Sequence, residues 1–325
     1  MSAGRVVIGG SSGFMGRHLL RRFREAGREV VTISRSGADL SWSDHEGIAS
    51  ATEGADLVVG LAGKSVNCRY TPANRDEIFR SRLETTAALG RAIARADAPP
   101  ALWVNSSTAT IYRHAEDRPM TEDGGELGTG FSVEVAKAWE RELFARELPG
   151  TRRVALRSAI VLGSGQDGSG GGVLGPLRSL ARLGLGGAQH DGRWPVTRAR
   201  REAGTAHLPG ATRGRQRFSW VHVEDVARII DFLERTPGIE GPINAAAPNP
   251  SDNTTFMRTV RETLGVRFGP PMPRWMLDLG ALGIRTETEL ILKSRWVLPG
   301  RLEAAGFEFA HPELRGAIEE SFASA

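Results

Sequence analysis

The chain is poor in several residue types, and each scarcity excludes something. It holds one cysteine, Cys68, in 325 residues. A lone thiol closes no internal disulfide and builds no thiolate metal centre, so no metal is expected. No apolar run approaches the roughly 20 residues of a membrane span, so no membrane partner is expected. The first residues run directly into an apolar strand without a secretory-leader pattern, and the cytoplasm is therefore the expected compartment. Lysine and tyrosine are almost missing. There are three lysines (Lys64, Lys137 and Lys293) and two tyrosines (Tyr70 and Tyr112).

Arginine and glycine are plentiful. The 40 glycines follow no period, which excludes collagen-like and solenoid architectures. Thirty-nine arginines and three lysines against 38 acids leave a net charge of +4. That basic balance raises nucleic acid as a partner until the charge is located. Between Ala188 and Arg217 lie seven arginines and two acids, a local net of +5, so everything else sums to −1. The charge belongs to one segment whose sole aromatic before Phe218 is Trp194, too little for a base-stacking platform. No nucleic-acid partner is expected.

Arg5 to Gly9 reads RVVIG, the unbroken apolar pattern of a strand buried in a parallel sheet. Gly10-Ser11-Ser12-Gly13-Phe14-Met15-Gly16 follows, then a helical pattern through Leu19, Leu20 and Phe23 to Gly27. Glu29 to Arg35 is a second strand. Glycines in a strand-to-helix turn let a pyrophosphate approach backbone N–H groups that a Cβ would shield. Gly10, Ser12, Gly13, Phe14, Met15 and Gly16 are therefore expected to hold a dinucleotide. An acid ending the second strand would favour NAD, through the ribose 2′-hydroxyl, whereas an arginine suits the NADP 2′-phosphate. The chain has Ser34-Arg35-Ser36 and no acid before Asp39. NADP is the expected cofactor, with NAD second, and Arg35, Asp39 and Leu40 join the expected contacts.

The alternation continues. Ala55 to Gly63 reads as a strand whose small end, Leu61-Ala62-Gly63, leaves room for a nucleotide at the switch point. A helix over 78–95, a strand over 101–107, a helix over 134–148 and a strand over 153–162 follow. Together these predict an α/β fold, a doubly wound parallel sheet. Ser81, Asn105, Ser106, Ser107 and Arg157 complete the expected cofactor contacts. Residues 1–236 are expected to form this domain, with the basic insertion at about 188–213 as a surface loop. Residues 237–325 should form a smaller, mainly helical lobe on the substrate side, interleaved with the glycine-rich loop in 163–187. Helices are expected over 255–264 and 275–282, and a turn and strand over 301–309.

GGSSGFMG, LAGKSV with Arg69 and Thr71, Ser81-Arg82 with Thr85-Thr86, SSTATIY, Trp139-Glu140 and the run from Gly214 to Asp225 carry a resemblance. The chain resembles the atypical and extended short-chain dehydrogenase/reductases, in their epimerase-like, nucleoside-diphosphate-sugar epimerase subgroup. The tail resembles that subgroup's small C-terminal domain. The resemblance implies a dinucleotide-dependent oxidoreductase or epimerase with a small-molecule substrate. It also implies a homodimer paired through the helices near Ile78 and Glu134.

The superfamily's usual proton relay is a Tyr-x-x-x-Lys pair, set on one helix face by its spacing. Anchored on Trp139-Glu140, that pair falls on Ser132 and Ala136, with Lys137 one residue beyond. Thr108, four residues before Tyr112, takes the serine-type position that polarises a substrate oxygen. Glu134, as a partly buried carboxylate of raised pKa, is the expected substitute acid or base, and Lys137 a displaced ribose ligand. His222 is expected to pack under a loop, and Asp225 to cap the helix it precedes. The arginine that holds a sugar-nucleotide's second phosphate is replaced by Phe218, which argues against such a substrate. The expected activity is NADP-dependent reduction or oxidation of a small carbonyl, enone or alcohol. A cofactor-binding redox sensor and an epimerase stand as alternatives.

Overall fold

Apolar strands with both faces covered fill the centre of the molecule. The computed structural model describes residues 4–165, 172–191, 197–204, 212–277 and 292–323. A βαβ unit opens the chain: β1 (Arg5–Gly9), α1 (Phe14–Glu25) and β2 (Glu29–Ser34). Next come β3 (Leu40–Ser41), α2 (His45–Thr52), β4 (Leu57–Gly60), α3 (Pro72–Arg95), β5 (Leu102–Thr108), α4 (Phe131–Phe144) and β6 (Arg152–Ser158). Beyond these are β7 (Ile160–Leu162), α5 (Leu174–Arg182), α6 (Arg198–Glu202), β8 (Arg217–Phe218), β9 (Trp220–His222), α7 (Val223–Arg235) and β10 (Gly241–Ala245). The C-terminal part adds β11 (Ser251–Asp252), α8 (Asn253–Thr263), α9 (Gly300–Ala304) and α10 (Leu314–Ala323).

Seven strands form one parallel sheet in the order β10-β6-β5-β4-β1-β2-β3. The order reverses between β1 and β4, and a crevice opens there at the strand ends. One face of the sheet buries Val6, Ile8, Val59 and Val104 under α1 and α7, whose Leu19, Phe23, Ile229 and Ile230 complete that core. The other buries Val7, Val58 and Trp103 under α2, α3 and α4 through Ile48, Leu89 and Leu143. Full burial on both faces explains the unbroken apolar strand sequences.

Several boundaries differ from expectation. The sheet continues to Ala245, past the boundary at 236, because β10 pairs in parallel with β6. The segment over 153–162 splits: β7 leaves the main sheet after Ser158 and pairs with β9. α3 begins at Pro72, where Thr71 caps the N–H of Asn74. Proline is well placed in a first helical turn, so these residues lengthen the helix. Residues 301–309 hold α9 and a turn rather than a strand, since α9 ends in hydrogen bonds to Ala305, Gly306 and Phe307.

The insertion is not simply a surface loop. Gln189 and Asp191 are buried, with Gln189 hydrogen-bonded to Asn253 and Gln216, and Asp191 ion-paired to Arg274. Its α6 leads to Gly204, whose carbonyl accepts the N–H of Phe131 at the start of α4. Trp194, most of the glycine-rich loop and the end of the helix expected over 275–282 lie outside the described residues. The interleaving is visible in one core, where Leu174, Leu177 and Ala181 of α5 pack with Phe256, Met257 and Val260 of α8 and Ala317 and Ile318 of α10.

Candidate functional site

The crevice at the switch point is a cleft of about 450 Å³. Gly10, Ser12 and Gly13 line one side, and Leu61, Ala62, Gly63 and Ser81 the other. Gly10 has φ +89°, and a Cβ there would stand 2.7 Å from the N of Ala62. A Cβ on Gly16 would meet the Gly10 carbonyl at 2.4 Å, so this glycine lets α1 close on the turn. A Cβ on Gly13 would meet the Gly10 carbonyl at an ordinary 3.7 Å, and no side chain among the described residues caps α1. The first N–H groups of α1, from Phe14, Met15 and Gly16, follow directly on the cleft residues Ser12 and Gly13, and a helix N-terminus carries unpaired N–H groups suited to an anion.

The opposite wall is held by Arg82. Its guanidinium donates to the carbonyls of Lys64 and Ile78 and lies over the Trp139 ring, 4.9 Å from the centroid. Burial pushes its pKa down to about 10. Ser81 Oγ accepts the Lys64 N–H at 2.9 Å, which ties the 61–64 turn to α3.

Arg35 is exposed on the cleft wall. Asp39 is not a cleft residue. Its carboxylate accepts the N–H and hydroxyl of Thr32 at 2.8 and 2.7 Å, and these bonds hold it below the ordinary carboxylate range. Leu40 sits in β3 and packs on the core around Ile33 and Ile48. The cleft also holds Trp42 and His45, and Lys64, Thr85 and Arg91, none of which the sequence singled out as cofactor contacts. Their signal is tertiary, since they come from the approach to and start of α2, the turn after β4 and the face of α3.

At the end of β5 the polar residues turn inward. Asn105, Ser106 and Ser107 are buried. The Asn105 amide donates to the Ser106 carbonyl, and Ser107 Oγ donates to Glu140 at 2.6 Å. Arg157, expected as a cofactor contact, is committed elsewhere. Two of its nitrogens meet the Glu140 carboxylate at 2.8 Å and the third donates to the Tyr112 hydroxyl at 2.8 Å. Burial alone would lower its pKa, yet the Glu140 carboxylate outweighs that and raises it. Tyr112 in turn donates to Asn244 at 2.9 Å, and the Asn244 N–H donates to Glu122 at 2.8 Å. Burial raises the Tyr112 and Glu122 pKa values. This chain of bonds joins β5, α4, β6 and β10.

The catalytic candidates are arranged differently from expectation. Thr108 Oγ1 donates to Thr110 Oγ1 at 3.0 Å and accepts the Thr110 N–H at 3.1 Å, so it caps the short turn at Ala109–Ile111. Glu134 is 51% exposed rather than partly buried. Its carboxylate pairs with Lys137 Nζ at 3.0 Å, and the same ammonium donates to the Gly128 carbonyl. Ser132, in the tyrosine's place, has a buried hydroxyl with no hydrogen-bond partner among the described residues. His222 is buried as expected, and it is His222 Nδ1 that caps α7, accepting the Glu224 N–H. Asp225 lies inside α7 and accepts the backbone N–H groups of Ala310 and His311. It tethers the C-terminal segment, and the cap role expected for it belongs to His222, three residues earlier.

A parallel sheet with a glycine turn at its switch point defines a dinucleotide-binding Rossmann protein. The chain belongs to the NAD dependent epimerase/dehydratase family, whose pattern matches residues 6–245. Residues 272–321 match a domain of unknown function, DUF1731. The epimerase family protein SDR39U1 of Bos taurus is 33% identical over 98% of this chain and 100% of its own length. The crystal structure of the human epimerase family protein SDR39U1 (isoform 2) with NADPH has a TM-score of 0.80 at 29% identity, covering 99% of this chain and all of that one. MoeE5, solved with UDP-glucose and NAD, shares the fold at a TM-score of 0.71 and 19% identity, covering 98% of each chain. No helix among the described residues is long and apolar enough to cross a membrane.

Proposed function

We propose that this protein is an NADP-dependent oxidoreductase acting on a small carbonyl, enone or alcohol. The carrying observation is the pairing of an exposed Arg35 on the cleft wall with an Asp39 carboxylate turned away to Thr32. With Asp39 turned away and the cleft carboxylate of Glu77 paired to Arg80, the exposed Arg35 offers a cation to a 2′-phosphate. The human relative solved with NADPH supports the same choice. Gly10, Ser12, Gly13 and the first N–H groups of α1 would hold the pyrophosphate, where an added Cβ finds no room at Gly10. Leu61, Ala62, Gly63 and Ser81 would bound the crevice opposite them. Phe14, Met15, Gly16, Asn105, Ser106 and Ser107 would shape its floor. When bound, the dinucleotide supplies or accepts a hydride.

Thr108 would polarise the substrate oxygen at the end of β5, giving up its bond to Thr110. Glu134 or water beside it would deliver the final proton, with Lys137 orienting the Glu134 carboxylate. Pairing of two copies through α3 and α4 belongs to the same reading. Turnover of NADPH over a panel of carbonyls and enones tests the activity. Loss of rate in Thr108→Ala with unchanged NADPH affinity is the expected result. NADPH binding without turnover across the panel would instead favour a cofactor-binding sensor. The second reading is favoured by one observation: the hydroxyl nearest the absent tyrosine, Ser132 Oγ, is buried, and Tyr112 is locked to Arg157 and Asn244.

A further inference from the structure

We propose that His222, His311 and Glu320 bind one transition-metal dication, zinc by preference, which clamps the C-terminal segment to the dinucleotide-binding sheet. One ligand atom from each residue lies within 4.8 Å of the other two. His222 ends β9 and is 4% exposed, and its Nε2 is buried without a hydrogen-bond partner among the described residues. An unpaired buried ring nitrogen is costly unless something occupies it. The ring packs on that of His311, with centroids 4.1 Å apart. His311 Nε2 stands 3.1 Å from Glu320 Oε2.

The three residues come from distant parts of the chain, and each is positioned independently of a metal. His222 is fixed by the pairing of β9 with β7. His311 is fixed by its N–H bond to the buried Asp225. Glu320 rides on α10, which is packed through Ala317 and Ile318. Two imidazoles and one carboxylate suit zinc, and suit magnesium or calcium poorly. Glu320 is 48% exposed and His311 14%, so the cluster is closed towards the sheet and open to solvent on its Glu320 side. That side admits the ion and leaves room for water as a fourth ligand.

Coordination asks for one rearrangement. His222 Nδ1 accepts the Glu224 N–H at 3.4 Å, so the ring proton resides on Nε2. Metal binding at Nε2 moves that proton to Nδ1 and gives up a contact already at the long limit of a hydrogen bond. No proton is released by this shift. The inference is independent of the cofactor reading, because no residue of the cluster lines the crevice.

The test uses untagged full-length protein stripped with a chelator and titrated calorimetrically with zinc chloride, with magnesium chloride as the comparison. One zinc per chain, a higher thermal midpoint with zinc, and no magnesium binding at the same concentrations are expected. His222→Ala removes a buried ring and a helix cap and can fail to fold, so His311→Ala and Glu320→Gln carry the test. Each should keep the chelated parent's midpoint nearly unchanged and weaken zinc at least about tenfold. Substoichiometric zinc binding by the parent overturns the proposal, as does undiminished zinc affinity in both variants.

Discussion

The crevice at the glycine turn and the ends of β5 and β6 contrast. At the glycine turn, cleft residues are exposed: Ser12, Gly13 and Arg35 all reach solvent. At the ends of β5 and β6, polar groups are buried and bonded to one another through Glu140, Arg157 and Tyr112. A charged or hydroxylic residue at a strand end is therefore not by itself a ligand. What matters is whether its hydrogen-bonding capacity is already used by the protein. The first end is built to receive a group from outside, and the second is largely complete without one.

The largest effect should come from breaking the closed end. Glu140→Ala strips the partner from a buried guanidinium and should destabilise the fold by about 3–5 kcal/mol, read from urea unfolding. If stability holds and NADPH affinity collapses instead, Arg157 is a cofactor contact and the contrast fails. Arg35→Ala attacks the open end. It should weaken NADPH about 10- to 100-fold, the worth of a charged hydrogen bond, and leave NADH unchanged in parallel tryptophan-fluorescence titrations.

Gly10→Ala places a side chain at φ +89° against Ala62. The backbone conformation alone costs about 1–2 kcal/mol, so NADPH and NADH affinities should both fall roughly tenfold and the thermal midpoint should drop. Asp39→Asn should have the smallest effect. Its lowered pKa means the native carboxylate contributes stability that is fully present above the unfolded value of about 3.9 and is lost as pH falls through the folded value. The variant should melt slightly earlier than the parent at pH 7, the two should converge in acid, and NADPH affinity should not change. A large loss of NADPH affinity would return Asp39 to the cofactor site.

Much of the open end was legible in the sequence because its signals are local. The RVVIG strand, the glycines after it and the arginine closing the next strand lie within about thirty-five residues of one another. The closed end was illegible for the opposite reason. Arg157 finds Glu140 seventeen positions back and Tyr112 forty-five back, across α4 and β5. Asp39 misled because its partner, Thr32, becomes its neighbour only when the chain folds back between β2 and β3. Asp225 misled similarly: an acid next to a helical pattern reads as a cap, but its bonds go to Ala310 and His311.

By itself the sequence determined the parallel sheet, the dinucleotide crevice and the loss of the usual tyrosine, since apolar periodicity, glycine spacing and residue identity are properties of short segments. Only the tertiary structure decided which polar groups face that crevice and which face each other. It also revealed the meeting of His222 with His311 and Glu320. The physical reason is one of competition: a buried donor or acceptor must take the nearest partner, and that partner is set by packing between elements far apart in the chain.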